Sequence, residues 1–129
     1  MSPDFVCLYR TATKAEAIDR VMRSSCSADS LAWIFLMNAH KRLDGAIALA
    51  DLLRADDVTP VGETAIAAKS VKAGAELEEV ARLMTHYDLS VVPVVDDEDR
   101  VMGVITVDDV LELVLPQGWR RHFHLFGDD

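Results

Sequence analysis

The sequence predicts one α/β domain of the α+β kind, in which two strand-helix-strand-strand-helix units bury their faces on one another with pseudo-twofold symmetry. Three observations carry this. Residues 43–53 repeat as residues 101–111, setting Gly45 against Gly103 and Asp51 against Asp109 at an offset of 58. Upstream, Ile18, Val21 and Met22 match Val80, Leu83 and Met84 at an offset of 62, so the first copy carries four extra residues, expected as a loop insertion within residues 24–30. At the end of the second copy the apolar period changes from strand to helix: Val101, Val104 and Ile105 favour a strand, and Val107, Val110, Leu111 and Val114 then fall on one helical face. The division is residues 1–58 for the first repeat, 59–66 for a linker, 67–115 for the second repeat and 116–129 for a C-terminal amphipathic tail.

In chain order, residues 5–9 read as a strand, and Thr13 to Glu16 has the form of a capping box opening a helix to about Arg23. Residues 31–37 are a continuous apolar strand buried on both faces, turned by residues 38–42 into the Gly45 strand. A short helix follows from Leu49, and residues 56–63, with Pro60 and Gly62, connect the copies. The second copy opens with a strand at residues 69–72, then a helix whose buried stripe is Leu77, Val80, Ala81 and Met84. Residues 90–95 form the next strand; Pro93 cannot donate to a ladder, which predicts an edge position or a bulge.

The chain has 129 residues, half of them apolar, enough for one core. Thirteen Lys and Arg against 22 Asp and Glu give a net charge of −9, which disfavours nucleic acid and anionic membrane surfaces and leaves small ligands and cations as partners. No apolar run is long enough to span a bilayer and no signal peptide is apparent, so a cytoplasmic location is expected. Cys7 and Cys26 show neither metal-type spacing nor a disulfide framework and read as packing residues of a reducing compartment.

Polar groups gather where the last strand meets the last helix. Thr106 stands at the helix N-cap and Asp109 three residues on, so a hydroxyl and a carboxylate meet at the positive end of the helix dipole. Thr-x-x-Asp is also close to a capping box, and a purely structural role is the alternative. Asp108, Asp109 and Glu112 form an acidic group suited to weak Mg²⁺ binding, because Mg²⁺ keeps several waters and needs only one or two carboxylates; a solvated acidic face is the alternative. Asp96-Asp-Glu-Asp99 reads as a solvated hairpin turn. In the tail, Trp119, Phe123 and Phe126 make an aromatic stripe beside Arg120 and Arg121, while His122 and His124, at i and i+2, read as surface residues. No nucleophile-base pair or metal motif stands out, so no enzyme is expected.

Val-Val-Pro-Val-Val-Asp at 91–96, followed by Gly-Val-Ile-Thr-x-x-Asp at 103–109, resembles the cystathionine β-synthase (CBS) domain, and the doubled plan over residues 3–115 resembles the CBS pair called a Bateman module. In finer detail, Leu-Met-Thr-His-Tyr-Asp-Leu at 83–89 and Thr-Val-Asp-Asp-Val-Leu-Glu at 106–112 resemble the cytosolic CBS pair of MgtE-type magnesium transporters. The membrane helices of such a transporter are not in the sequence, which leaves an excised regulatory piece and a stand-alone relative both open.

The resemblance implies a regulatory module that binds an adenine nucleotide (AMP, ADP or ATP) between its repeats and passes that state to an attached effector or transporter domain, commonly as a homodimer. Carried over residue by residue, Asp109 accepts from ribose hydroxyls and Thr106 meets phosphate, while Val91, Val92 and Val104 sandwich the purine. A carboxylate offers two oxygens to a vicinal diol, and a hydroxyl beside helix N–H groups suits an anion. The first copy keeps Asp51 but has Ala48 where Thr106 stands, which puts its site in doubt. Cations for the phosphates are available at Arg10, Lys14, Lys69, Lys72 and Arg100.

Overall fold

The structure is a computed structural model and describes residues 4–114. The first repeat runs β1 (Cys7–Tyr9), α1 (Lys14–Arg23), α2 (Ala28–Leu31), β2 (Trp33–Met37), β3 (Leu43–Ala48) and α3 (Leu49–Arg54); a 3-10 turn, Val61–Glu63, follows. The second runs β4 (Val71–Lys72), α4 (Leu77–Tyr87), β5 (Val91–Val95), β6 (Val101–Thr106) and α5 (Val107–Val114). Each repeat makes its own three-stranded sheet, β1-β2-β3 and β4-β5-β6. In both, the first strand is parallel to the middle one and the third antiparallel to it. This bears out the α+β plan of two similar units.

Local chemistry repeats with the plan. Thr13 caps α1, its hydroxyl accepting from the Glu16 N–H at 3.2 Å. In the first hairpin the Asn38 side-chain carbonyl accepts from the N–H groups of His40 and Arg42 at 2.9 and 3.1 Å. In the second, Asp96 accepts from Glu98 and Arg100 at 2.8 and 3.0 Å, and Lys41 and Asp99 close the two turns at φ 65° and 63°. The acidic tetrad is therefore a hairpin turn.

Strand faces alternate between two destinations. Val92 and Val94 pack with Val71, Val80, Met84 and Val110 beneath the helices of the second repeat, as Ile34, Leu36, Ala17 and Leu52 do in the first. Phe35, Ala46, Val91 and Val104 face the other way and form a buried cluster between the sheets. That is why β5 is buried at all five positions. Cys7 packs against the inter-repeat cluster, where burial pushes its thiol up to about 11 and nearby Arg20 offsets this in part. The thiol stays protonated near neutral pH, in keeping with a packing role, and both cysteines are free.

Several expectations need correction. The helices superpose at an offset of 63, with Ala17 against Val80 and Val21 against Met84, and Met22 cannot match Met84 because it is 77% exposed while Met84 is 5% exposed. With 58 for the strands, the first repeat is longer by 63 − 58 = 5 residues, and the insertion holds the one-turn helix α2, capped by Ser27. Leu31 belongs to that helix and not to β2. Strands β1 and β4 are also shorter than expected. Pro93 lies in the central strand of its sheet, so the edge position is wrong, while the register does shift between Val94 and Val95.

The linker is not a loose spacer. Val61 is 1% exposed in the first repeat's core, its N–H donating to the Ala12 carbonyl at 2.9 Å, and Gly62 exchanges hydrogen bonds with Arg10. Ile66 then pairs with Ala46 of β3 through two bonds of 2.9 Å, where Gly45 lets the chain come close: a Cβ there would sit 3.1 Å from the Ile66 carbonyl oxygen.

Acid should weaken this fold at two turns. The Asp56 carboxyl is held below its ordinary 3.8 by hydrogen bonds from Thr59 and Val58, and Asp96 below 3.8 by the Arg100 N–H above all. Groups depressed in the folded state stabilise it above the unfolded pKa and lose that contribution as pH falls through the folded value. The urea midpoint is expected to drop between about pH 5 and about pH 3, with a shallower slope in Asp96→Asn; an unchanged slope in that variant would remove Asp96 from the account.

Candidate functional site

A mostly apolar cavity of about 140 Å³ lies between the two sheets. Its floor comes from both repeats: Trp33, Phe35 and Ala46 from the first, Val91 and Pro93 from the second. Trp33 and Val91 are repeat equivalents at the 58 offset, as are Phe35 and Pro93, so the cavity adjoins the pseudo-twofold axis. One wall is residues 66–69, which carry the chain from the linker to β4; Tyr87, the last residue of α4, and Leu89 complete the lining. Lys69 is the single charged residue in the lining, and its ammonium lies 4.5 Å from the centre of the Tyr87 ring. At the same position in the first repeat, by the offset of 63, Ala68 is replaced by Phe5, a larger side chain packed against the inter-repeat cluster.

The start of α5 follows the strand paired with Val91, although neither Thr106 nor Asp109 is among the residues that line the cavity. The Val107 N–H donates to the Ser90 carbonyl at 2.8 Å, fixing the helix beside Leu89 and Val91, and Thr106 stands cross-strand from Val91 on the same sheet face. Thr106 and Asp109 form a reciprocal box: the Asp109 N–H donates to the Thr106 hydroxyl at 3.3 Å, and the Thr106 N–H donates to Asp109 Oδ2 at 3.1 Å. The capping alternative is thus realised. It leaves the Thr106 O–H as a donor and Asp109 Oδ1 as an acceptor, with Thr106 only 8% exposed.

The other named residues are distributed unevenly. Val91 lines the cavity, and Val104 is buried in the inter-repeat cluster opposite Pro93. Val92 does not face the cleft, because neighbouring strand residues point to opposite faces and its own turns into the second repeat's core. Asp51 is exposed in the first turn of α3, whose N-cap, Ala48, makes no side-chain cap bond. Asp108, Asp109 and Glu112 do not converge: among the described residues no group of three His, Cys, Asp or Glu side chains is placed to hold a metal ion. Positions 108 and 109 diverge around the helix, and one oxygen of Asp109 is turned back to the cap. His122, His124, Trp119, Phe123 and Phe126 lie outside the described residues.

Of the five candidate phosphate partners, four are committed elsewhere. Arg10 pairs with Asp44 and donates to the Gly62 carbonyl, and Lys14 binds the carbonyls of Leu53 and Ala55 at the end of α3. Lys72 pairs with Asp99 and Arg100 with Glu98. Lys69 remains. Sequence reasoning missed Trp33 and Tyr87. Carrying Val91 back through the repeat would have found Trp33; nothing local marks Tyr87, whose place depends on how α4 meets the linker.

The CBS domain model matches residues 65–116. The magnesium transporter MgtE of Thermus thermophilus is 37% identical over 115 residues, covering 88% of this chain and 26% of that protein. The chain thus spans about a quarter of the length of the curated relatives it matches. Among solved structures, the cytosolic domain of the Mg²⁺ channel MgtE in complex with ATP superposes with a TM-score of 0.82 at 37% identity, over 88% of this chain and 46% of the other. The soluble part of a magnesium transporter follows at 0.75 and 27%, over 86% and 44%. Among the described residues no helix is long and apolar enough to cross a membrane. Residues 65–116 match the CBS domain and the first half repeats its plan, so the chain is similar, as a tandem pair, to the cytosolic CBS domains of MgtE.

Proposed function

We propose that this CBS pair binds one adenine nucleotide in the inter-repeat cavity and acts as a regulatory sensor for a magnesium transport protein. The observation that carries the proposal is the cavity itself: an apolar slot with an aromatic side chain from each repeat, a single cation at Lys69, and the Thr106–Asp109 helix start after the strand paired with Val91. Aromatic and aliphatic walls suit a purine face, Asp109 Oδ1 suits a ribose hydroxyl, and Lys69 can exchange the Tyr87 ring for a phosphate. The ATP complex of the similar MgtE domain supports a nucleotide of this class. Apolar side chains on the helices, Met22 on α1 and Leu53 on α3, support pairing of two copies.

Thermal unfolding with AMP, ADP and ATP, each with and without Mg²⁺, tests the reading. A ligand at a hundredfold over its dissociation constant stabilises by about 2.7 kcal/mol, an upward shift of several degrees for a domain of this size. A shift with Mg²⁺ alone would replace nucleotide sensing by ion sensing, and no shift with any addition would leave a structural pairing module. Isothermal titration is expected to give one nucleotide per chain, since Phe5 and Ala48 stand where the second cleft would need a small residue and a hydroxyl. A stoichiometry of two would show that Phe5 gives way.

A further inference from the structure

We propose that Pro93 is a positioning residue for the ligand: by withholding one N–H it keeps residues 67–69 out of the sheet and leaves the Lys69 backbone carbonyl as an acceptor in the cavity wall. The two repeats supply the comparison. At the far end of the first parallel pair, the Arg10 N–H donates to the Met37 carbonyl at 3.0 Å; in the second, the Ala73 N–H donates to the Val95 carbonyl at 3.1 Å. The ladders match there and part at the near end. In the first repeat the Phe35 N–H donates to the Val6 carbonyl at 3.0 Å, and pairing extends from Cys7. The equivalents in the second repeat are Pro93 and Lys69, and proline has no N–H to give. Pairing there begins one position later, at Val71 and Val94.

Lys69, Val91 and Pro93 all line the cavity, so it opens in the fork where residues 67–69 leave β5. Ala67, Ala68 and Lys69 make no backbone hydrogen bond among the described residues. Lys69 is exposed, so water can meet its carbonyl while the cavity is empty; a ring that brings a donor replaces that water, and one without a donor displaces it with no hydrogen bond in return. The ligand class that fits is a purine with an exocyclic amine, in preference to one without it. This deepens the proposed nucleotide reading and rests on it.

The test uses the full chain and two nucleosides, adenosine and purine riboside, which differ in the exocyclic amine. The wild type is expected to prefer adenosine by roughly tenfold in titration calorimetry. In Pro93→Ala that preference should shrink to within about twofold. The amide at position 93 should also exchange slowly with solvent, since it now reaches Lys69. A preserved preference, or a position-93 amide exchanging as fast as those of exposed loops, would overturn the inference. If the wild type binds neither nucleoside, the ligand half of this inference fails, while the nucleotide reading is decided separately by the thermal shift with AMP, ADP and ATP, and amide exchange still decides whether Pro93 holds the segment apart. Should Pro93→Ala not fold, Pro93→Val, whose side chain suits a strand, takes the same two measurements.

Discussion

Asp109→Asn is expected to weaken adenine nucleotide binding at least tenfold while leaving the melting temperature within a few degrees of wild type. The two effects separate because Asp109 has two jobs. Oδ2 accepts the Thr106 N–H and closes the capping box, and an asparagine carbonyl can do the same. The charge on the remaining oxygen is what a ribose hydroxyl would meet. Hydrogen bonds to charged groups contribute about 1.5–3 kcal/mol, and ~1.4 kcal/mol is tenfold in affinity. Asp109→Ala removes both roles and should cost about 1 kcal/mol of stability besides. Asp51→Asn, at an exposed helix start without a capping partner, should leave affinity unchanged. Wild-type affinity in Asp109→Asn, measured by calorimetry, would reduce Asp109 to a cap.

Gly62→Ala is expected to destabilise the chain by about 2 kcal/mol, lowering the melting temperature by roughly 8 °C. A Cβ at position 62 would lie 2.6 Å from the Arg10 Cβ and 2.8 Å from the Arg10 carbonyl oxygen. Neither is the far end of a flexible side chain, so the backbone must move. The move would break the Gly62 N–H bond to the Arg10 carbonyl, now 2.8 Å, and the Arg10 guanidinium bond to the Gly62 carbonyl, now 2.9 Å. Residues 66–69 follow directly and wall the cavity, so nucleotide affinity should fall with stability. Arg10→Gly in the same chain removes two of the three clashing atoms, Cβ and Nε, and should recover part of the loss. A melting temperature within about 2 °C of wild type would show that the linker is held less tightly than these contacts imply.

How far the sequence reaches depends on the range of the interaction. The helix starts at Thr13 and Thr106 were legible because capping is settled within three residues. The strands in each half were legible from β-branched runs, and the hairpin at Asp96 from turn chemistry. The repeat itself was visible, yet its helix offset was wrong by one. Ile18, Val21 and Met22 are as apolar as their supposed partners, and only burial separates Val21, packed on the core, from Met22, left in solvent. An amphipathic face can rotate by one residue without any change in sequence signal.

For the site, the Thr106–Asp109 junction was determined locally, while the cavity was decided by tertiary structure. Val91 and Val92 look alike in sequence, but alternation along a strand sends one to the cleft and the other to the core, and which goes where depends on what covers each face. The five cations were equivalent in sequence; three are drawn to carboxylates and carbonyls far along the chain and Arg100 to its neighbour Glu98, leaving Lys69 at the rim. Pro93 spans both levels. Its missing N–H is a property of the residue, whereas the place of that loss, just before the Val71–Val94 pair and beside a cavity shared by two sheets, follows from packing one repeat against the other. Capping, turns and strand preference are set by neighbours a few residues away and can be read from sequence; cavities and ion-pair partners are set by segments tens of residues apart, and only the folded chain brings those together.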